Sequence, residues 1–289
     1  MKKLINVFGV ILTLSSIYFL YSKYQALKNT LSLDITTYPT SYYTMPFIYT
    51  LSAIALALAW GRIITVLYKK VPINSCLAIY GISQIGKYVP GNVFHYVGKQ
   101  FLGVAYGIPG KELAKSQFYE IILQLLSAIG FAIYIGYGYL FPGHNLVALL
   151  IMAFAMILIF VTLYFYNSMM LPALFFYMLF LCALGALFAS VIKMTSHFHY
   201  DAESLFFIIS AFAAAWLIGF VIPGAPAGIG VREAVLILLL TPSGLAEHDV
   251  FSSAILFRIV SVCGDFVFFL LGMLLYFVKK DKLCGRFEK

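Results

Sequence analysis

Six apolar runs, at 4–21, 47–68, 113–140, 145–166, 171–192 and 250–278, leave this chain little freedom in what it folds into. Each is about the 20 residues that a bilayer crossing needs. In hydrocarbon a segment must satisfy its own backbone, so the fold class is an all-α polytopic membrane protein of about six transmembrane helices. Composition agrees: with 63% hydrophobic and 10% charged residues and a mean hydropathy of +0.97, the 289 residues carry too little polar surface for a soluble globule. The longest polar pieces, 22–46 and 279–289, read as loop and tail rather than domains. The run at 4–21 follows Met1-Lys2-Lys3 like a signal peptide, but it is long enough to span and leads into Tyr21-Ser22-Lys23-Tyr24 instead of a small-x-small cleavage site. It is therefore expected to be the first crossing. The four cysteines, at 76, 182, 263 and 284, form no C-x-x-C pair, so they suggest helix packing rather than a disulfide framework or zinc site.

Two more apolar stretches, 74–105 and 204–241, are broken near the middle. The first holds Lys87-Tyr88-Val89-Pro90-Gly91-Asn92, and the second holds Pro223-Gly224 followed by Gly228-Ile229-Gly230-Val231-Arg232-Glu233. Proline lacks the amide donor and glycine accepts unusual backbone angles, so each break is expected to be a re-entrant turn between two half-helices. Such backbone persists at membrane depth only where protein or water covers it. A shift of 133 positions, from 90 to 223, also carries Lys99 onto Arg232 and each crossing of residues 1–141 close to one of 142–289. Each half is then three crossings and one hairpin. An odd number of crossings turns the second half upside down, giving an inverted repeat of the kind that places a transporter's site between broken helices. The basic residues give the orientation: Lys2, Lys3, Lys69, Lys70, Lys111, Lys115 and five in the tail fall on one side, against Lys23, Lys28 and Lys193 on the other. By the positive-inside rule both termini are expected in the cytoplasm.

Charges inside such segments are functional candidates by default. Here they are Lys87, Lys99, Glu120, Arg232, Glu233, Arg258 and Asp265. Glu120, Gln124 and Ser127 share one helix face, as do Arg258, Ser261 and Asp265, and both faces lie on the crossings that follow the broken stretches. A common polar cavity with four cations against three carboxylates is expected, suited to an anion such as a phosphate. Half-helix amino termini would add to that attraction. The plainer alternative is buried ion pairing, Arg258 with Glu120 or Lys99 with Asp265, that fixes helix packing. His95 is better read as packing than as a ligand. His197, His199, Asp201 and Glu203, and His248 between Glu247 and Asp249, read as solvated loop residues, so no metal and no cofactor is expected. Gly81 with Ile85 and Gly98 with Gly103 do not meet small-x-x-x-small spacing, so no dimerisation motif is claimed.

The run Lys87-Tyr88-Val89-Pro90-Gly91-Asn92-Val93-Phe94-His95-Tyr96-Val97-Gly98-Lys99, then Tyr106-Gly107-Ile108 and Glu120, then Pro223-Gly224-x-x-x-Gly228-Ile229-Gly230-Val231-Arg232-Glu233-Ala234, resembles the lysylphosphatidylglycerol synthase transmembrane-region family over nearly the whole chain. Lys99 stands where that family more often has Arg, and Ala225-Pro226-Ala227 replaces a more Gly-rich turn. The resemblance implies a flippase in a bacterial or archaeal cytoplasmic membrane, with an amphiphilic lipid as substrate and envelope biosynthetic enzymes as partners. It implies only the translocating half, because this sequence has no soluble aminoacyl-transferase block. The expected substrate-binding residues are Lys87, Tyr88, Pro90, Gly91, Asn92, Lys99, Glu120, Gln124, Pro223, Gly224, Gly228, Arg232, Glu233, Arg258 and Asp265. Two other readings stay open. One is a membrane-embedded transferase with Glu120 or Asp265 as general base, although no paired loop carboxylates, H-E-x-x-H or nucleotide-binding glycines are present. The other is a non-catalytic scaffold, which gives no reason for charges at membrane depth. Nothing suggests a nucleic-acid partner.

Overall fold

A computed structural model describes residues 21–22, 25, 40–89, 93–196, 201–222 and 226–284. The expected crossing at 4–21 lies almost wholly outside these residues, as do Pro90, Gly91, Asn92, Pro223 and Gly224. Every regular element among the described residues is helical: α1 Ser41–Leu67, α2 Ile73–Gln84, α3 Phe94–Ala105, α4 Gly110–Leu140, α5 Asn145–Asn167, α6 Leu171–Thr195, α7 Ala202–Val221, α8 Val231–Leu240 and α9 Glu247–Cys284. Five stretches are long and apolar enough to cross a membrane: Tyr42–Leu67, Gly110–Leu140, Asn145–Thr195, Ala202–Val221 and Glu247–Val278. The third is 51 residues long and holds two expected crossings. It divides at Asn167, which leaves the helical region (φ −166°, ψ 98°) and accepts a hydrogen bond from the Met169 amide.

The core is built from α1, α2, α4, α6, α7 and α9. In an apolar solvent helices associate by close packing, which small residues permit. A Cβ on Gly81 of α2 would lie 2.7 Å from the Phe268 carbonyl oxygen and 3.4 Å from the Gly272 Cα, so α2 and α9 meet backbone to backbone. Gly264 leaves room for Tyr49 and the Pro46 carbonyl in the same way where α9 meets α1. Trp60, fully buried on α1, donates its Nε1–H to Ser116 Oγ of α4 (3.1 Å). By contrast α5 fully buries only Ala148, and its exposed Leu146, Phe154, Ile157, Phe165 and Tyr166 need an apolar surrounding.

The two broken stretches are less alike than their sequences suggest. α2 starts after Pro72 and runs 12 residues, about 18 Å, before the 3-10 turn Ile85–Tyr88. α3 then folds back on it: a Cβ on Gly86 would lie 2.7 Å from the His95 backbone nitrogen, and one on Gly98 would lie 3.2 Å from Ser83 Cβ. α7, however, is 20 residues, about 30 Å, and so of spanning length rather than a half-helix. Nothing stops it between Asp201 and the residues before Pro223. Asp201 caps it by accepting from the Ser204 amide (2.9 Å), a bond that holds its carboxyl below the usual range. The return arm α8 has only 10 residues and follows a turn in which Ala227 (φ 50°), Gly228 (φ 72°) and Gly230 (φ 82°) are all left-handed or nearly so. The turns at 85–88 and 226–228 touch each other.

Candidate functional site

Around these two turns lies a cavity of about 100 Å³, lined by residues of both turns and of α1, α2, α3, α4, α6, α7, α8 and α9. If one water fills roughly 10–15 Å³ on this scale, several waters or a small head group fit. Of the expected site residues, Lys87, Tyr88, Glu120, Gln124, Arg232, Glu233, Arg258 and Asp265 all line it, and Ser261 lies between Arg258 and Asp265 on the same face of α9. Lys99 does not line it, although its partner does.

Among the described residues three ion pairs form at the cavity, and none is a pair suggested by the sequence. Lys99 Nζ meets Glu120 Oε2 at 2.5 Å, with both side chains fully enclosed. Tyr80 donates to the other oxygen, Oε1, at 2.7 Å, and the Lys99 ammonium lies 4.5 Å and 4.8 Å from the Tyr80 and Tyr96 ring centroids. This fastens α3 to α4. On the other side, Arg258 directs Nη2 (2.6 Å) and Nε (3.1 Å) to Glu233 Oε1, and Nη1 (3.0 Å) to the Ala227 carbonyl. The second Glu233 oxygen accepts from the Gly230 amide at 2.7 Å. This fastens α8 to α9 with the signs exchanged, and it braces the left-handed Ala227, a conformation that costs an L-residue roughly 1–2 kcal/mol. The third pair, Lys87 Nζ to Asp265 Oδ2 at 2.6 Å, ties the first turn to α9. Tyr88 Oη donates to the same oxygen at 2.5 Å, and Tyr49 Oη lies 3.5 Å from it.

Arg232 is left over. Among the described residues it makes no ion pair, and its Nε is buried with no hydrogen-bond partner. Its guanidinium sits 5.7 Å from the Trp216 ring centroid. The route of its side chain depends on two glycines, because a Cβ on Gly219 or Gly228 would lie 2.6 Å from Arg232 Cγ or 2.7 Å from its Nε. Among the described residues the surrounding groups therefore sum to four cations against three carboxylates, and Arg232 is the cation of the four that has no carboxylate partner. His95 also lines the cavity, and its Nδ1 is buried and unpartnered among the described residues. Part of the lining is aromatic: Phe180, Phe212, Trp216, Phe220 and Phe257, with Trp216 and Phe220 stacked at 5.1 Å.

Sequence reading passed over Tyr49, Tyr80 and the aromatic wall. A signal for the tyrosines existed, since a phenol within a membrane-depth segment needs a hydrogen-bond partner when buried. A second hollow, lined by Tyr134, Asn145, Asp201, Glu203 and Ser204 among others, has its carboxylates in local use, Asp201 as a cap and Glu203 as acceptor from Asn145 Nδ2. His248 pairs with Asp249 at 3.3 Å, and His197 and His199 lie outside the described residues. Among the described residues no three His, Cys, Asp or Glu side chains are grouped to hold a metal. Compared with known proteins, the chain matches no family model and no curated protein.

Proposed function

We propose that this chain is a lipid translocator (flippase) that carries an amphiphile with a phosphate-containing head group, a phospholipid or a polyprenyl-phosphate-linked lipid, through the charged cavity while its tails remain in the bilayer. The observation that carries this reading is the unpartnered Arg232. A buried arginine at membrane depth is costly, so one is retained there only where something repays it. An anionic head group does so. The aromatic wall suits the start of the lipid's apolar part, and no wall of this small cavity needs to enclose the tails.

In this reading the α2–α3 unit is a re-entrant hairpin, and α7–α8, a spanning-length helix with a short return arm, is its counterpart from the opposite face of an inverted repeat, in a membrane where both termini are cytoplasmic. The packing supports the repeat. Exchanging α1 with α6, the α2–α3 unit with α7–α8, and α4 with α9 maps the α1–α6 contact onto itself, the α2–α9 contact onto α7–α4, and the α1–α9 contact onto α6–α4. The sign-exchanged pairs Lys99–Glu120 and Arg258–Glu233 then do the same work in each half, locking a return arm to the crossing after it. The head group is reached from alternate sides as one unit or the other moves. A transferase is less well supported, because each cavity carboxylate is already held by a cation and Glu120 also accepts from Tyr80. None is disposed as a free general base. The test is reconstitution in vesicles with fluorescent phosphatidylglycerol: the wild type exchanges the lipid between leaflets and Arg232→Gln does not. Equal exchange by the variant would remove Arg232, and with it the basis of the reading.

A further inference from the structure

We infer that His95 and Arg232 are two ligands of one phosphate oxyanion, so that the head group bridges the two helix breaks. This rests on the translocator reading and deepens it. His95 Nδ1 and Arg232 Nε are both buried atoms without a partner among the described residues, and both side chains line the same cavity. Each stands beside one of the two turns. The His95 backbone packs on Gly86 in the first turn, the Arg232 side chain packs on Gly228 in the second, and these two turns touch.

A buried polar atom without a partner carries its full desolvation cost. Two such atoms in one small cavity call for a common partner. Separate waters would satisfy both hydrogen bonds, but they would leave the Arg232 charge unopposed. A phosphate group carries a negative charge and presents several acceptor oxygens, so it can accept from the arginine and from an Nδ1–H of the imidazole at once. The other charged groups around the cavity are engaged with one another. Lys87, Tyr88 and Tyr49 gather on Asp265, Arg258 on Glu233, and Lys99 and Tyr80 on Glu120. Occupancy of the bridge therefore adds a link between the two turns beyond the contact they already make.

The test uses the full chain purified in detergent, with short-chain phosphatidylglycerol as probe and diacylglycerol of the same chain length as the phosphate-free control. The wild type binds phosphatidylglycerol more tightly than diacylglycerol, and Arg232→Gln removes that preference. His95→Leu weakens phosphatidylglycerol binding about tenfold, the scale of one hydrogen bond to a charged group, with diacylglycerol binding unchanged. His95→Asn keeps a donor on the atom that corresponds to Nδ1 and retains most of the affinity, whereas His95→Gln places its amide at the Nε2 position and does not. Should His95→Leu fail to fold, the Asn and Gln variants carry the comparison between them. If Arg232→Gln loses the phosphate preference while His95→Leu binds like the wild type, or Asn rescues no better than Gln, the bridge is wrong and the translocator reading stands. If the wild type itself has no preference for the phosphate lipid, both fall.

Discussion

The Lys99–Glu120 pair offers the clearest energetic test of how the cavity is held together. Both side chains are out of contact with solvent, at 0% and 1% exposure, and the ammonium and carboxylate approach to 2.5 Å. Glu120→Gln keeps an acceptor for Tyr80 but leaves the Lys99 charge without its counterion. Lys99→Met leaves the Glu120 carboxylate with only neutral donors, the Tyr80 phenol and the Gln124 amide. Removing one partner of such a pair destabilises by about 3–5 kcal/mol, because the remaining charge is buried uncompensated. Replacing both partners by neutral groups of similar shape costs little, so Lys99→Met with Glu120→Gln should return to within about 1 kcal/mol of the wild type, or exceed it. A natural domain has about 5–15 kcal/mol in total, so each single variant is a large loss. Unfolding of the purified protein can be followed by tryptophan emission. Trp60 is a local reporter, bonded to Ser116 one turn from Glu120, with its ring 6.4 Å from that of Tyr80. A double variant as unstable as the two singles combined would refute the ion-pair reasoning, as would single variants costing less than about 1 kcal/mol.

Two further outcomes follow from the packing and the orientation. Gly81→Val drives a side chain into the Phe268 carbonyl and should destabilise by roughly 1–3 kcal/mol, while Gly136→Ala, which meets nothing within 4 Å, should be neutral or stabilising by up to about 1 kcal/mol; equal behaviour in thermal unfolding would contradict the close α2–α9 crossing. In a background without the native cysteines, Lys111→Cys and Lys193→Cys should react with an impermeant thiol reagent from the cytoplasmic and the outer side respectively, and labelling of both from one face would end the inverted arrangement.

Much of the scaffold was legible because helix length and hydropathy are one-dimensional properties. The runs at 47–68, 113–140, 145–166, 171–192 and 250–278 reappear in α1, α4, α5, α6 and α9. The helical spacing that set Arg258, Ser261 and Asp265 on one face also holds, since all three reach the cavity. Which charge pairs with which was not legible. That depends on which helices abut and how far each turn of backbone carries a side chain. Lys99 reaches Glu120 rather than Asp265 because α3 packs on α4, and Arg258 reaches Glu233 because α8 begins beside α9. His95 reads as packing in a sequence because its lack of a partner appears only once its neighbours are in place. The aromatic wall of Phe180, Phe212 and Trp216 was hidden by the abundance of aromatics throughout the chain.

The claim that an anionic head group belongs beside Arg232 is tested most directly by the lipid that the protein keeps. Native mass spectrometry of the wild type and of Arg232→Gln, purified from the same membrane in the same detergent, reads this without choosing a probe. The account predicts a phosphate-bearing lipid bound to the wild type and lost from Arg232→Gln, with the variant at least as stable when empty because an unpaired buried charge has gone. Equal retention of that lipid by both proteins, or retention by the wild type of uncharged lipids alone, would contradict it.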